Sequence, residues 1–207
     1  APIAGLTGQV TVAAWVYRPT AQTTWAAVVS RQRGTTVAEH FYLGFSNTGQ
    51  YRWFVNTTAG ISSKLGGAAP VGQWVHMVGT YDGSTIRFYV NGVQQGTAAH
   101  SGTFLNDTTG LVVGAGYNDA AHTPIEAFAG QVDDVRVYGI ALDANAVAHV
   151  YATSQQPPAD VTPPSVPTAL QALPGSSTTI ELTWTGSSDA GPSTSDTFNR
   201  ANGALGG

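Results

Sequence analysis

The sequence predicts an all-β chain built as a two-sheet antiparallel sandwich, with one short helix near the end of the sandwich and an extended tail behind it. Three observations carry this. Apolar residues alternate with period two in nearly every run before residue 140, the pattern of strands with one face buried. Turn residues recur every eight to twelve positions, too close for helical crossovers. The 207 residues include 25 Gly, 11 Pro and no Cys, so neither disulfides nor thiolate metal sites staple the fold.

Taken in order, Val10 to Tyr17 (VTVAAWVY) is β-branched and aromatic and reads as the first strand. His40–Ser46 and Tyr51–Asn56 flank Asn47-Thr48-Gly49-Gln50 and form a hairpin. Gln73–Tyr81 and Thr85–Asn91 flank Asp82-Gly83-Ser84 as a second hairpin, and Asn91-Gly92 turns the chain again into Val93–Ala98. Leu111–Gly114 and Gly130–Tyr138 complete the strands. Asp143 is placed to cap a short helix whose Val147, Val150 and Tyr151 share one face and cover one end of the sandwich.

The composition changes near residue 152. Residues 1–152 hold four of the five Trp, whereas residues 157–174 hold six of the 11 prolines. We therefore divide the chain into a sandwich over 1–152, a Pro-rich linker over 153–168 and a tail over 169–207, in which Thr179–Trp184 is the one good strand. The lone Met is Met77 and residue 1 is Ala, so the stretch reads as processed or excerpted from a longer polypeptide. A net charge of −4, with eight cations against 12 carboxylates, excludes a nucleic-acid surface and a polybasic lipid-binding stretch. No apolar run is long enough to insert in a membrane. Charged residues are 10% of the chain, against about 25% in ordinary domains. Thr, Ser, Asn and Gln carry solubility instead, as in many secreted or surface-displayed β proteins.

Three segments, VTVAAWVY (10–17), QWVHMVGTYDGSTIRFYVNG (73–92) and GQVDDVRVYGIAL (130–142), resemble in order and spacing the concanavalin A-like, laminin G-like jelly-roll domain of bacterial and phage surface proteins. The resemblance covers nearly all of residues 1–152. It implies two packed antiparallel sheets, often a structural calcium, and frequently glycan binding or adhesion. Family members usually carry an Asp-rich strand before the one matching Val10–Tyr17. Here only nine residues precede it, so a calcium ligand from that strand is missing or comes from another segment. In the tail, residues 162–188 (TPPSVPTALQALPGSSTTIELTWTGSS) resemble the start of a fibronectin type III domain, and 196–206 (DTFNRANGALG) the opening of a further lectin-like module.

Glucanases of this fold carry their carboxylates as E-x-D-x-x-E on one strand. The three glutamates, Glu39, Glu126 and Glu181, form no such pattern, and no other carboxylate pair emerges from the spacing, so catalysis is not expected. The best metal signal is Asp133-Asp134. By alternation Asp133 shares the core face with Val135 and Val137, where a carboxylate is costly unless an ion such as Ca2+ or a hydrogen-bond donor meets it. The alternative is that Asp133 accepts a backbone N–H and Asp134 pairs Arg136. Saccharide binding needs aromatic rings beside polar side chains. If Tyr51, Trp53 and Val55 face the core, then Arg52, Phe54 and Asn56 lie on the opposite face, with Tyr42 beside them. A second candidate is the Gly-rich loop 114–122, with Tyr117, Asn118 and His122. The expected function is a non-catalytic carbohydrate-binding or adhesion module of a larger extracellular, cell-surface or virion-surface protein, with a glycan and neighbouring protein chains as partners. A purely structural assembly role, or an accessory role beside a polysaccharide-degrading enzyme, fits the same residues.

Overall fold

Fourteen strands and one helix follow from a computed structural model, which describes residues 6, 8–33, 39–105, 109–117, 124–154, 168–176 and 179–185. In chain order the elements are β1 (Val10–Tyr17), β2 (Ala26–Gln32), β3 (Glu39–Phe45), β4 (Gln50–Thr57), β5 (Gly60–Ala68), β6 (Trp74–Tyr81), β7 (Thr85–Val90), β8 (Val93–Ala99), β9 (Leu111–Val113), β10 (Gly116–Tyr117), β11 (Pro124–Ile125), β12 (Gln131–Tyr138), α1 (Ala144–Thr153), β13 (Thr168–Ser176) and β14 (Thr179–Thr185). The chain divides into two compact units, Ala1–Pro157 and Pro158–Gly207.

The first unit contains two five-stranded sheets, each antiparallel throughout. The first runs β12-β1-β6-β7-β8 and the second β5-β4-β3-β2-β9. Alternate residues of facing strands meet between them: Val10, Val12, Ala14 and Val16 of β1, Phe41, Leu43 and Phe45 of β3, Tyr51, Trp53 and Val55 of β4, and Met77 and Tyr81 of β6 are all buried. The hairpin turns obey local chemistry. Asn91 and Gly92 both take left-handed φ (50° and 76°), the requirement of the tight turn joining β7 to β8. At the β6–β7 turn, Asp82 Oδ1 accepts hydrogen bonds from the Ser84 and Thr85 amides, both at 2.8 Å, and its other oxygen pairs with Arg87 at 2.6 Å.

The outer face of the first sheet is covered by α1. Asp143 caps the helix by accepting from the Ala146 amide at 2.8 Å, and Val147 packs on Ala13, Val78 and Tyr89. Behind it Trp15 donates its indole N–H to Ser154 Oγ at 3.1 Å and stands against the rings of His76 and Tyr151. The helix ends at Thr153 with Ser154 as a buried cap, so the sandwich runs slightly past the expected 152.

Three elements differ from the sequence reading. β2 was not anticipated because it is buried along its whole length and shows no alternation. β5 is a polar edge strand with few apolar residues. In the second unit, Thr179–Thr185 pairs antiparallel with Thr168–Ser176, so part of what reads as linker and irregular tail is a strand. Residues 155–167 and 186–207, including most of the linker and the second tail resemblance, lie outside the described residues.

Candidate carbohydrate-binding face

The outer face of the second sheet carries the first predicted cluster. Register places Tyr42 opposite Phe54 across β3 and β4, Gly44 opposite Arg52, and Arg52 opposite Leu65 on β5. Alternation therefore assigns these residues to the expected side. The face is not open over its whole extent, however. Tyr42 (0% exposed) and Phe54 (4%) are buried with Ala27, their rings stacked 5.4 Å apart and 17° from parallel. They serve as a bed for Arg52. Its guanidinium lies 4.5 Å from the Phe54 ring, 5.3 Å from Tyr42 and 4.4 Å from Trp25, which stands just ahead of β2. Trp25 and Arg52 are half-buried, and Leu65 beside them is exposed. Arg52 donates no hydrogen bond among the described residues, so cation–π contact holds its plane while its N–H donors stay available.

Against Tyr42 and Ala27 lie Glu126 and Gly116, from the described parts of the segment that bears the second predicted cluster. Gly114 N donates to Val28 O and Phe128 N to Gly114 O, both at 2.9 Å; Ala27 N donates to Glu126 O at 2.8 Å; Ser30 Oγ donates to Ala115 O at 2.9 Å. These bonds fasten residues 114–117 and 124–128 along β2, where β10 and β11 pair with each other. The described residues of this segment, 114–117 and 124–128, therefore lie along the strand next to the one that carries Tyr42. Tyr117 enters it through the backbone of β10, while Asn118 and His122 lie outside the described residues.

Sequence reasoning found no paired carboxylates. The fold brings two together. A methyl group on Gly116 would stand 2.9 Å from Glu39 Oε1 and 3.8 Å from Glu126 Oε2, so both carboxyls converge on this one point of the β10 backbone. Strict alternation would send Glu39 to the core with Phe41. A bulge opposite Arg31–Gln32 inserts His40 instead, whose ring turns inward against Phe104, and Glu39 goes outward. Glu126 has φ of 51°, a conformation that costs energy for a side chain larger than Gly and marks a position worth attention. Burial pushes the Glu39 carboxyl up to about 7, with the Glu126 charge adding to the rise and Arg52 opposing it. Glu126 is likewise raised by burial and held back by Arg52, and burial lowers the Arg52 guanidinium. No alternation pattern could have shown this pair; the signal available in sequence was the polar glutamate at the edge of an aromatic strand.

Two further expectations need correction. Asn56 is buried and its Oδ1 accepts from Arg33 Nη1 at 2.9 Å, so its amide oxygen is engaged within the protein. Asp133 does not face the core. A bulge between Ala13 and Trp15 of the partner strand adds a residue to β12, Asp134 takes a left-handed φ of 44°, and Val132, Val135 and Val137 face inward while Asp133 is exposed. Asp133 Oδ1 accepts the Asp134 amide at 2.6 Å, and both Asp134 oxygens are taken by Arg136 at 2.7 Å. That is the ion-pair alternative. Calcium wants six to eight oxygens, and no third His, Cys, Asp or Glu joins the pair among the described residues.

Two antiparallel sheets packed face to face, with an aromatic and charged patch on one outer face, define a concanavalin A-like jelly roll. The family model Laminin_G_3, described as the concanavalin A-like lectin/glucanases superfamily, matches residues 1–148, and the chain belongs to that family. Among solved structures, the fold resembles the CBM40 of Ruminococcus gnavus IT-sialidase bound to alpha2,3 sialyllactose (TM-score 0.59, 17% identity, 70% of this chain and 83% of that one). It also resembles domain 4 of AbnA, a GH43 extracellular arabinanase from Geobacillus stearothermophilus, in complex with arabinotriose (TM-score 0.53, 19% identity, 72% and 68%). A third likeness is the native heptameric SAP-like pentraxin of Limulus polyphemus (TM-score 0.57, 17% identity, 73% and 73%). No curated protein sequence matches the chain.

Proposed function

We propose that the first unit binds carbohydrate, without turning it over, at the patch formed by Trp25, Arg52 and Leu65, as a module of a larger extracellular or virion-surface protein. One observation carries this reading: a guanidinium lying over three aromatic rings, with no hydrogen bond from it among the described residues, next to a half-exposed indole. Such a pair supplies both things a pyranose asks for, a flat apolar surface and fixed hydrogen-bond donors. Two structural neighbours, one in complex with arabinotriose and one bound to sialyllactose, lend support to carbohydrate binding as such. Glu39 and Glu126 approach each other beside Gly116, and glycosidases use a carboxyl pair across the scissile bond, so release of reducing ends from a bound oligosaccharide would overturn the non-catalytic part of this reading.

Glycan-array screening followed by calorimetry tests the reading. Arg52→Ala and Trp25→Ala should each weaken binding by about tenfold or more while circular dichroism stays unchanged. A folded protein that binds no saccharide ends it. One observation favours a second reading, assembly with another protein chain: Ile61 (62% exposed) and Leu65 (43%) put apolar surface on the same face. Pull-down of a protein partner lost in Leu65→Asp, with glycan binding absent, would favour it.

A further inference from the structure

A guanidinium with unspent donors ordinarily marks a site for anions, because its fork matches a carboxylate or sulfate. The surroundings of Arg52 oppose that. Glu39 reaches the site from β3 through the bulge at His40, and Glu126 reaches it from the end of β11 through its left-handed backbone. The two carboxyls meet at Gly116, and both act on the charge of Arg52. Resting on the carbohydrate reading above, we infer that this site accepts neutral, hydroxyl-rich saccharides and rejects sugars bearing a carboxylate or sulfate. The second acidic group converts a would-be anion site into one that repels anions.

The physical basis is charge balance at short range. An incoming carboxylate gains one attraction from Arg52 and meets two carboxyls that already act on that charge, and salt screens such close charges little, since the Debye length is about 8 Å at physiological ionic strength. Hydroxyls of a neutral sugar still accept from the Arg52 N–H groups at no such cost. The charged and titratable side chains that interact with Glu39 among the described residues are Glu126, Arg52 and Tyr42. Tyr42 is pushed further up by burial and stays neutral, so the carboxyls set the balance. Since Glu39 titrates at about 7, rejection of acidic sugars deepens above that pH and relaxes below it.

The test uses the full chain and paired probes: neutral gluco-, galacto- and arabino-oligosaccharides against oligogalacturonate, glucuronoxylan fragments and sialyllactose, with affinities measured at pH 5.5 and 8. At pH 8 neutral members should bind roughly tenfold or more tightly than acidic ones. The ratio should fall toward one in Glu39→Gln/Glu126→Gln, and shrink at pH 5.5 in the unaltered protein. The pH arm needs no variant, so it decides the matter even if the double substitution unfolds. Equal or tighter binding of the acidic set at pH 8 overturns the selectivity and leaves carbohydrate binding standing. Failure of the folded protein to bind either set overturns the carbohydrate reading itself.

Discussion

Gly79 sits opposite Phe88 in the first sheet, and a methyl group on it would come within 2.1 Å of Cδ2 in Trp53 from the facing sheet. The indole lies flat on the glycine and donates to the Thr80 carbonyl at 3.2 Å. Three ring atoms of the fully buried Trp53 would lie within 2.6 Å of the new methyl, so Gly79→Ala should cost about 3 kcal/mol in urea denaturation. Gly67→Ala, with nothing within 4 Å of the new methyl, is the control and should change stability by less than about 0.5 kcal/mol. At this scale alternation read the site's side chains well: Tyr42, Arg52 and Phe54 do share the face opposite Leu43 and Trp53. It could not tell which of them meet solvent, because the residues packed there, among them Gly116 and Glu126, come from a distant segment. Trp25 escaped notice for a related reason, as it lies in no periodic run.

Bulges decide facing at the level of strands. In β3 the extra residue is His40 and it sends Glu39 outward; in β12 the irregularity at Asp134 sends Asp133 outward and leaves three valines inside. A period-two reading has no way to register an inserted residue, since one slip inverts every assignment on one side of it. The consequence for metal binding is testable. With Asp134 committed to Arg136, chelation should leave the melting temperature unchanged, and added Ca2+ should not raise it; a rise would show a native-state ion by mass action. Strands with strong alternation (β1, β4, β6) were legible within a residue or so. β2, buried on both faces, and β5, polar and at an edge, were not.

Across the molecule two buried groups oppose each other in pH dependence. His76 is fully buried against Trp15 and Tyr151, and burial lowers it to about 4, with Asp134 opposing and Arg136 reinforcing the drop. The unfolded chain therefore takes up a proton below about 6.5 that the folded chain refuses until about 4, and stability is lost as pH falls through that window. Glu39 acts in the other direction. Its folded form holds a proton up to about 7 while the unfolded form releases it near the ordinary value of 4.5, so stability is lost as pH rises between them. The two slopes overlap, and melting temperature should be nearly flat from pH 5 to 6.5. His76→Phe should expose a fall in stability with rising pH, and Glu39→Gln a fall with acidification. Parallel profiles for both variants would refute the opposition.

The sequence by itself determined the sandwich: alternation, turn residues and the Asp143 cap are local signals, each readable within a few positions because they reflect backbone geometry and one-sided burial. It also placed the aromatic face of β3 and β4 on the correct side. Only the tertiary structure decided that residues 114–117 and 124–128 fasten along β2, that Glu39 and Glu126 meet beside Arg52, and that Asp134 belongs to Arg136. Those outcomes depend on strand order and on bulges, and contacts between segments far apart in the chain leave no periodic trace in either segment.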